Sequence, residues 1–260
     1  MKNKSNTAVQ SRSSTNENDP VVRIRHLQKA FQGRAVLKDV TLDLQKGENL
    51  VVIGKSGAGK SVLIKCMVGL IEPDEGEINI LGFNVPQLNA KQLRELRLQV
   101  GFSFQGSALY DSMTVRENLE FPLKRNLGIF DSAELKTRVE EALQNVGLAK
   151  SIDQYPTELS GGMKKRIGIA RTLILRPKIM LYDEPTAGLD PITSGEINDL
   201  MMKVQEEYHT SSIIITHDIS SAKAVGDRIV ALLDGSIRME GTFDEMKATN
   251  DPELAPFFNY

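Results

Sequence analysis

The chain has 260 residues, of which 40% are hydrophobic, so it can bury the core of one large domain or two small ones. Its 32 Lys and Arg residues nearly balance its 34 Asp and Glu residues, which excludes an overall field that attracts nucleic acid or an anionic membrane. The apolar runs are far shorter than the ~20 residues of a spanning helix, and no signal-peptide pattern follows Lys2 and Lys4. We therefore expect a cytoplasmic protein that reaches a membrane only through a partner.

Residues 1–19 are rich in Ser, Asn, Thr and Lys. They predict a disordered tail, because so little apolar surface cannot offset the entropy of ordering. From Val21 onward, short β-rich runs separated by Gly and charged turns predict the start of a sheet. These runs cover residues 21–24, 50–53 and 77–81. The single cysteine, Cys66, excludes an internal disulfide and is expected to fill the core.

Residues 54–61, Gly-Lys-Ser-Gly-Ala-Gly-Lys-Ser, match the P-loop pattern and lie between a predicted strand and a predicted helix. Glycines let the backbone wrap closely, so that N–H groups and the positive end of the helix form an anion site. Lys60 is expected to reach the β- and γ-phosphates, and Ser61 to offer its hydroxyl to Mg²⁺. The predicted cradle consists of Gly54, Lys55, Ser56, Gly57, Ala58, Gly59, Lys60, Ser61 and Val62. A Gly-rich turn without function is the alternative, which the preceding strand disfavours.

Helical spacing replaces the strand signals between about residues 87 and 168, which predicts a helical insertion. Within it, the basic run Lys164-Lys165-Arg166 is interpreted as a solvated helix face rather than a nucleic-acid contact. Apolar strand runs then resume and alternate with helical stretches, which predicts a parallel sheet covered by helices. The strand runs are residues 179–182, 212–215 and 228–233, and the helical stretches are residues 193–208 and 220–224.

Two of these apolar strands end in polar side chains. Asp183 and Glu184 close one strand, and His217 follows the next. Ligands of parallel sheets bind at the carboxyl ends of the strands, so we expect the three side chains to meet there. Asp183 would join the Mg²⁺ shell, Glu184 would orient and polarise the attacking water, and His217 would hydrogen-bond the γ-phosphate or that water. The alternatives are that Asp183 and Glu184 form a solvated turn and that His217 is structural. The presence of the P-loop in the same chain disfavours both.

With Leu159-Ser160-Gly161-Gly162-Met163 between the P-loop and Asp183, the chain resembles ABC ATPases over about residues 21–245. The resemblance implies ATP hydrolysis with Mg²⁺, and an α/β P-loop NTPase fold with a mostly parallel sheet core, an inserted helical subdomain and an antiparallel β subdomain. It also implies a head-to-tail homodimer in which Ser160, Gly161 and Gly162 face the ATP of the other subunit. The residue types agree, because Ser160 is a natural N-cap and the glycines leave a helix N-terminus bare.

The same resemblance assigns roles to three further residues. Gln105 matches the family residue that touches Mg²⁺ and reports to the permease, and Asp190 ends a matched loop at residues 187–190. Phe31 matches the aromatic residue that stacks on adenine, with a place in the core as its alternative. Accordingly, the ATPase domain is expected over residues 20–248, with the helical subdomain at about 87–168 and a C-terminal tail at 249–260.

Residues 59–62, 104–109 and 188–193 are similar to the Mla/Mce group of phospholipid-transport ATPases. That likeness implies integral membrane permease subunits and a periplasmic Mce-type lipid-binding protein as partners, and a place on the cytoplasmic face of the inner membrane. No nucleic acid is expected as a partner, because the charges balance. A soluble ABC protein of chromosome maintenance or translation would share these motifs, but it would carry long coiled coils or two cassettes. A GTPase or small kinase would not need residues 159–163. The aromatic C-terminus could pack on a second subunit or on its own domain.

Overall fold

The computed structural model describes residues 19–258. All of the predicted disordered tail except Asp19 lies outside the described residues, as do the last two residues of the C-terminal tail. Within the described range, no helix combines the length and the apolar character that crossing a bilayer requires.

The described residues form one sheet of 10 strands in the order β5-β4-β1-β2-β10-β9-β3-β8-β7-β6. The strands are β1 Val22–Phe31, β2 Arg34–Leu44, β3 Asn49–Ile53, β4 Glu75–Ile80, β5 Phe83–Asn84, β6 Val100–Ser103, β7 Ile179–Asp183, β8 Ser211–Ile215, β9 Arg228–Leu233 and β10 Ser236–Gly241. β1, β2, β4 and β5 pair antiparallel, which agrees with the expected antiparallel β part of the fold.

The other part of the sheet is parallel from β9 through β3, β8 and β7 to β6. Every residue of β3, β7 and β8 is buried, as expected for strands covered on both faces. Apolar side chains on the two faces belong to two separate core clusters, one including Val51 and Tyr182 and the other including Val52 and Leu181. Cys66 is buried in the second cluster, as predicted, and burial raises the pKa of its thiol to about 11.

Helices cover this sheet. They are α1 Lys60–Met67, α2 Ala90–Gln99, α3 Val115–Pro122, α4 Ser132–Asn145, α5 Gly161–Leu173, α6 Pro191–Tyr208, α7 Ile219–Val225, α8 Phe243–Lys247 and α9 Ala255–Phe258. In α4, which lies in the stretch predicted to be helical, Leu135, Val139 and Leu143 recur at the spacing of one helix face and are buried. The strand β6 lies inside the stretch predicted as a helical insertion, and it pairs in parallel with β7. Its four residues are too few to show a strand pattern in the sequence.

The last described segment folds back on its own domain. Leu254 and Phe258 are buried in the core cluster that contains Val51. The ring of Phe258 contacts that of Phe243 edge to face, with centroids 5.8 Å apart. Of the two predicted positions for the aromatic C-terminus, the structure therefore shows docking on the same chain for this part.

Candidate functional site

The P-loop connects the buried strand β3 to α1, as the sequence predicts. Gly59 has a φ of 102°, in the left-handed region that favours glycine, and it supplies no side-chain cap to α1. A Cβ atom on Gly54 would lie 2.3 Å from the carbonyl oxygen of Leu232, so only glycine fits there. The loop therefore passes close to β9 and leaves the first N–H groups of α1 available to an anion.

Lys60 is the first residue of α1 and is only 7% exposed. Its Nζ donates to the carbonyl oxygens of Gly54 at 2.7 Å and Lys55 at 3.2 Å, and lies 3.9 Å from Oε1 of Glu184. Burial lowers the pKa of the Lys60 ammonium, while the carboxylates of Glu184 and Asp183 act in the opposite direction. The loop thus holds a partly desolvated cation where phosphate groups would lie.

The next residue, Ser61, meets the end of β7. Its Oγ donates to Oδ1 of Asp183 at 3.0 Å, and Asp183 is buried. A hydroxyl and a carboxylate are hard oxygen ligands of the type that Mg²⁺ prefers, especially when phosphate oxygens complete its shell. Together with the partly desolvated Lys60 cation, the Ser61 hydroxyl and the Asp183 carboxylate fit a nucleoside triphosphate bound with Mg²⁺.

Glu184 follows β7 with a φ of 50°, an uncommon conformation for a residue other than glycine. Its backbone N–H donates to the carbonyl oxygen of Ile215 at 2.9 Å, which ties it to the neighbouring strand β8. Its side chain is 13% exposed, and Oε2 lies 2.8 Å from Nδ1 of His217. The structure therefore brings together the carboxylate and the imidazole that the sequence predicts at two separate strand ends.

A buried polar network that the sequence analysis missed lies beneath this pair. Ser221 Oγ donates to Oδ2 of Asp218 at 2.7 Å and accepts from Nδ2 of Asn198 at 3.1 Å. Thr186 Oγ1 lies 3.4 Å from the same Ser221 oxygen. The network joins the turn after Glu184 to the turn that carries His217, so it fixes the two turns relative to each other.

A cavity of about 530 Å³ lies at the P-loop. It is lined by Val36, Ser56, Gly57, Gly59, Lys60, Ser61, Val62, Gln105, Glu184 and His217. Val36 was not predicted, and no motif in the sequence indicates it. Phe31 does not line the cavity, but its ring is 43% exposed, so the alternative that it is a core residue is wrong. Lys29 Nζ lies 5.4 Å from the centroid of that ring.

Ser160, Gly161 and Gly162, which the resemblance places against the ATP of a second subunit, are called the signature residues below. They lie at the N-terminus of α5, outside the lining of this cavity. Ser160 caps the helix, as predicted, by accepting from the N–H of Met163 at 3.3 Å. A Cβ on Gly162 would lie 2.4 Å from Cγ2 of Thr193, so α5 packs closely on the start of α6. Asp190 caps α6. The hydrogen bond from the Thr193 hydroxyl, followed by the one from the Thr193 backbone N–H, lowers the pKa of the Asp190 carboxyl.

The interpretation of the basic run on α5 as a solvated face is wrong for Lys165. Lys165 is half-buried and donates to the carbonyl oxygens of Gln105 at 2.5 Å and Glu184 at 3.1 Å. Arg166 pairs with Glu196 of α6. Burial lowers the pKa of the Lys165 ammonium, against the effect of the Glu184 and Asp183 carboxylates. The sequence could not indicate these contacts, because their partners lie on distant segments.

A phosphate cradle, oxygen ligands for a metal and a carboxylate beside a histidine, all at the carboxyl edge of one parallel sheet, define a P-loop nucleoside triphosphate hydrolase. A family model described as "ABC transporter" matches residues 37–187 of the chain. The chain belongs to this family of ATP-hydrolysing proteins, which bind ATP with Mg²⁺.

Individual relatives agree with this assignment. The probable ribonucleotide transport ATP-binding protein mkl of Mycobacterium leprae is 37% identical over 92% of this chain and 68% of its own length. The methionine import ATP-binding protein MetN of Carboxydothermus hydrogenoformans is 38% identical over 87% of this chain and 67% of its own length. The chain thus spans about two thirds of these curated relatives.

Solved structures show the same fold. A dimeric ATP-binding cassette, MJ0796, bound to ADP and inorganic phosphate superposes with a TM-score of 0.78 and 34% identity. That alignment covers 85% of this chain and 98% of the cassette. The protein cbiO1 of Clostridium perfringens, described as part of an ABC transporter complex, superposes with a TM-score of 0.81 and 29% identity, over 92% and 94% of the two chains. The predicted ABC ATPase fold is therefore confirmed.

Proposed function

We propose that this chain is the ATP-hydrolysing subunit of an ABC transporter and works as a homodimer on integral membrane permease subunits, at the cytoplasmic face of the inner membrane. The observation that carries the proposal is the convergence of Lys60, Ser61, Asp183, Glu184 and His217 around one sheet edge. These side chains come from separate segments of the chain and contact one another. Nucleotide binding alone would not need the contact between Glu184 and His217, whereas hydrolysis needs a carboxylate held in place.

When bound, MgATP supplies the phosphoryl group to be transferred and a metal ion that stabilises its charge. Lys60, with its partly desolvated ammonium, neutralises phosphate charge, and Ser61 and Asp183 offer oxygen ligands to the metal. Gln105, which lines the same cavity, is the further metal contact that the family resemblance implies. Glu184 orients and polarises the attacking water, and His217 holds the Glu184 carboxylate in place through its Nδ1 atom.

The homodimer is proposed because part of the predicted nucleotide site lies outside the lining of this chain's own P-loop cavity. Ser160, Gly161, Gly162 and Asp190 lie together at the N-termini of α5 and α6, and none lines the P-loop cavity. A second copy can meet these helix ends with its own bound ATP. The solved structure of MJ0796, which is dimeric, supports this arrangement.

An apolar groove beside Gln105 is the proposed socket for the permease. The groove has a volume of about 540 Å³, and its lining includes Leu70, Phe104 and Tyr110, which are exposed. Large exposed apolar side chains around a concave site are typical of a protein contact. Because Phe104 directly precedes Gln105, a permease seated there would be coupled to the nucleotide site.

Phospholipid is the proposed cargo, delivered with a periplasmic Mce-type partner between the inner and outer membranes. The support is the likeness of residues 59–62, 104–109 and 188–193 to the Mla/Mce group. Methionine is the second candidate, because a relative covering 87% of the chain is named a methionine import protein. Another relative is named for ribonucleotide transport, which adds a third ligand to any test.

The test is to purify the chain with its membrane partners and reconstitute the complex in proteoliposomes. Hydrolysis of MgATP by the complex would be measured with phospholipid-loaded Mce-type protein, with methionine and its binding protein, and with ribonucleotides. We expect stimulation by the lipid-loaded protein alone, and none when Glu184→Gln is introduced. Stimulation by methionine alone would replace the cargo and keep the ATPase role. Purification with nucleic acid or ribosomes instead of a permease would overturn the transporter proposal.

A further inference from the structure

Lys165 lies in the second turn of α5 and contacts two loops that the site uses. Its ammonium donates to the carbonyl oxygen of Gln105 at 2.5 Å and to that of Glu184 at 3.1 Å. Those oxygens belong to segments that follow β6 and β7, so one cation joins the helix to both strand ends. Hydrogen bonds from a charged donor are stronger than neutral ones, and the bond to Glu184 is partly shielded from water.

The Glu184 contact acts on a residue whose backbone needs support. Its φ of 50° is unfavourable for a side-chain-bearing residue and persists only when surrounding contacts hold it. The N–H of Glu184 is fixed to Ile215, and its carbonyl oxygen is fixed to Lys165. Together the two bonds set the peptide planes on each side of Glu184, and with them the direction of its carboxylate.

The helix α5 also contacts residues 107–110, which follow Gln105 in the same loop. Arg171 donates to the carbonyl oxygen of Ala108, and its guanidinium carbon lies 4.7 Å from the centroid of the Tyr110 ring. Gly168 approaches Ser107 so closely that an added Cβ would lie 3.1 Å from it. Ser107 and Ala108 have φ values of 61° and 50°, so the loop is held in an unfavourable conformation against α5. Among these contacts, only that of Lys165 also reaches Glu184.

We propose that Lys165 is a positioning residue that fixes the backbone of Glu184 and of Gln105 to α5, so that the helix bearing the signature residues and the catalytic carboxylate move together. The inference rests on the role of Glu184 proposed above. Lys165 is not among the residues that line the P-loop cavity, so it acts on Glu184 and not on ATP itself. Its loss should therefore slow turnover without weakening nucleotide binding.

The first experiment compares steady-state MgATP hydrolysis by the full chain and by Lys165→Met, which keeps the length of the side chain and removes the ammonium. We expect kcat to fall about 10- to 100-fold, because small misplacements of catalytic groups cost that much, with KM within about twofold. Lys165→Arg should restore most of kcat. The matched control is Lys164→Met, since the Lys164 side chain makes no hydrogen bond or ion pair with residues 19–258.

The outcomes distinguish a positioning role of Lys165 from a role in the stability of the fold alone. A normal kcat in Lys165→Met, or a loss that Lys165→Arg does not recover at all, would overturn the inference. A parallel loss of ATP affinity, measured by direct titration, would also overturn it. If Lys165→Met does not fold, as judged by its thermal transition, Lys165→Gln and Lys165→Arg keep a hydrogen-bond donor and carry the same comparison, with Arg expected to be the more active.

A double-mutant cycle with Glu184→Gln completes the test. Because both changes act through the same carboxylate, adding Lys165→Met to Glu184→Gln should lower the residual rate by less than twofold. Independent, multiplying losses would show that Lys165 acts elsewhere. If Glu184→Gln alone hydrolyses ATP normally, the proposed role of Glu184 fails. If Glu184→Gln is inactive and Lys165→Met is normal, only the inference about Lys165 fails.

Discussion

The Nδ1 atom of His217 lies 2.8 Å from Oε2 of Glu184, and the backbone N–H of His217 lies 3.4 Å from the same oxygen. The other carboxylate oxygen, Oε1, lies 3.9 Å from Nζ of Lys60. His217 therefore binds one carboxylate oxygen of Glu184. The other oxygen lies near Lys60, and both Glu184 and Lys60 line the cavity. This arrangement leaves an oxygen that can accept a hydrogen bond from a water molecule.

Replacing Glu184 with Gln should therefore preserve ATP binding and lower turnover about 10²- to 10⁴-fold, because the amide cannot take up a proton. Turnover and nucleotide affinity would be measured separately, and the ATP-bound variant should accumulate as a dimer in size-exclusion chromatography. Glu206→Gln is the control, since Glu206 is an exposed residue on α6 away from the cavity. Unchanged turnover in Glu184→Gln would remove Glu184 from the catalytic role.

The close approach of α5 to α6 gives a second prediction. Gly162→Ala should place a Cβ 2.4 Å from Cγ2 of Thr193, and overpacking of this kind costs roughly 1–3 kcal/mol of stability. Adding Thr193→Ser removes that methyl group, and the nearest remaining atom, the Cβ of residue 193, lies at an ordinary distance of 3.9 Å. The double variant should thus recover both Tm and ATPase activity.

Thr193→Ser alone is the matched control, because serine keeps the hydroxyl that donates to Oδ2 of Asp190 at 2.6 Å. It should behave as the unmodified chain in thermal unfolding and in hydrolysis. If Gly162→Ala is as stable as the unmodified chain, or if Thr193→Ser does not rescue it, the contact between the two helices is not what limits this position.

A third prediction concerns Asp74, whose carboxylate accepts from Nζ of Lys29 and from the N–H of Ala30, both at 2.6 Å. Ala30 directly precedes Phe31, so Asp74→Asn should loosen the segment that presents the proposed adenine contact. We expect KM for ATP to rise about two- to fivefold, as for a partly exposed ion pair, with kcat unchanged. Asp199→Asn, on the exposed side of α6, is the control. An unaltered KM would argue against a role for this segment in binding the base.

The same residue predicts a pH dependence of stability. The hydrogen bond from the Lys29 side chain, followed by the one from the N–H of Ala30, lowers the pKa of Asp74 below its ordinary value. A carboxylate with a lowered folded-state pKa stabilises the fold at neutral pH, and that contribution is lost as the pH falls through the folded-state pKa. The difference in Tm between the chain and Asp74→Asn should therefore shrink as the pH falls below about 4. A difference that is constant down to acid pH would contradict this.

The fourth prediction tests the apolar groove. Leu70→Ser and Tyr110→Ala should impair transport by the reconstituted complex while basal hydrolysis by the isolated chain stays within about twofold. The backbone of Tyr110 is held by Asn118 through both its N–H and its carbonyl oxygen, so truncating the side chain leaves the loop anchored. Met202→Ala, an exposed apolar residue of α6 outside the groove, should affect neither activity. Equal losses of transport and basal hydrolysis would contradict the socket.

Much of the site could be predicted because its signals are local in the sequence. The P-loop, Glu184 and His217 come after fully buried strands, and Asp183 ends one of them. Each strand and the polar residues at its end therefore form a continuous pattern in the sequence. Since parallel strands share a carboxyl edge, the sequence also predicts that these residues converge. The confirmed fold rests on the same alternation of buried strands and helices.

Other features depend on approaches between distant segments. Lys165 meets carbonyl oxygens that lie 60 and 19 residues away along the chain, so its sequence neighbours indicate only an exposed basic run. The network around Ser221 likewise joins α6, α7 and the turn after Glu184. The strand β6 was missed because a four-residue strand carries no periodicity. The carbonyl oxygens that Lys165 contacts belong to the backbone, so the pattern of side chains in the sequence does not reveal them.

The fully buried strands β3, β7 and β8 carry a consequence for the timescales of motion. β3 is paired on one side with β8 and on the other with β9, so its amides should exchange with solvent only when the whole domain unfolds. Asp183 ends β7, Glu184 follows it directly, and Lys60 lies at the far end of the P-loop that leaves β3. Because they are attached to this slow-exchanging framework, these residues should keep their mutual spacing through many catalytic cycles.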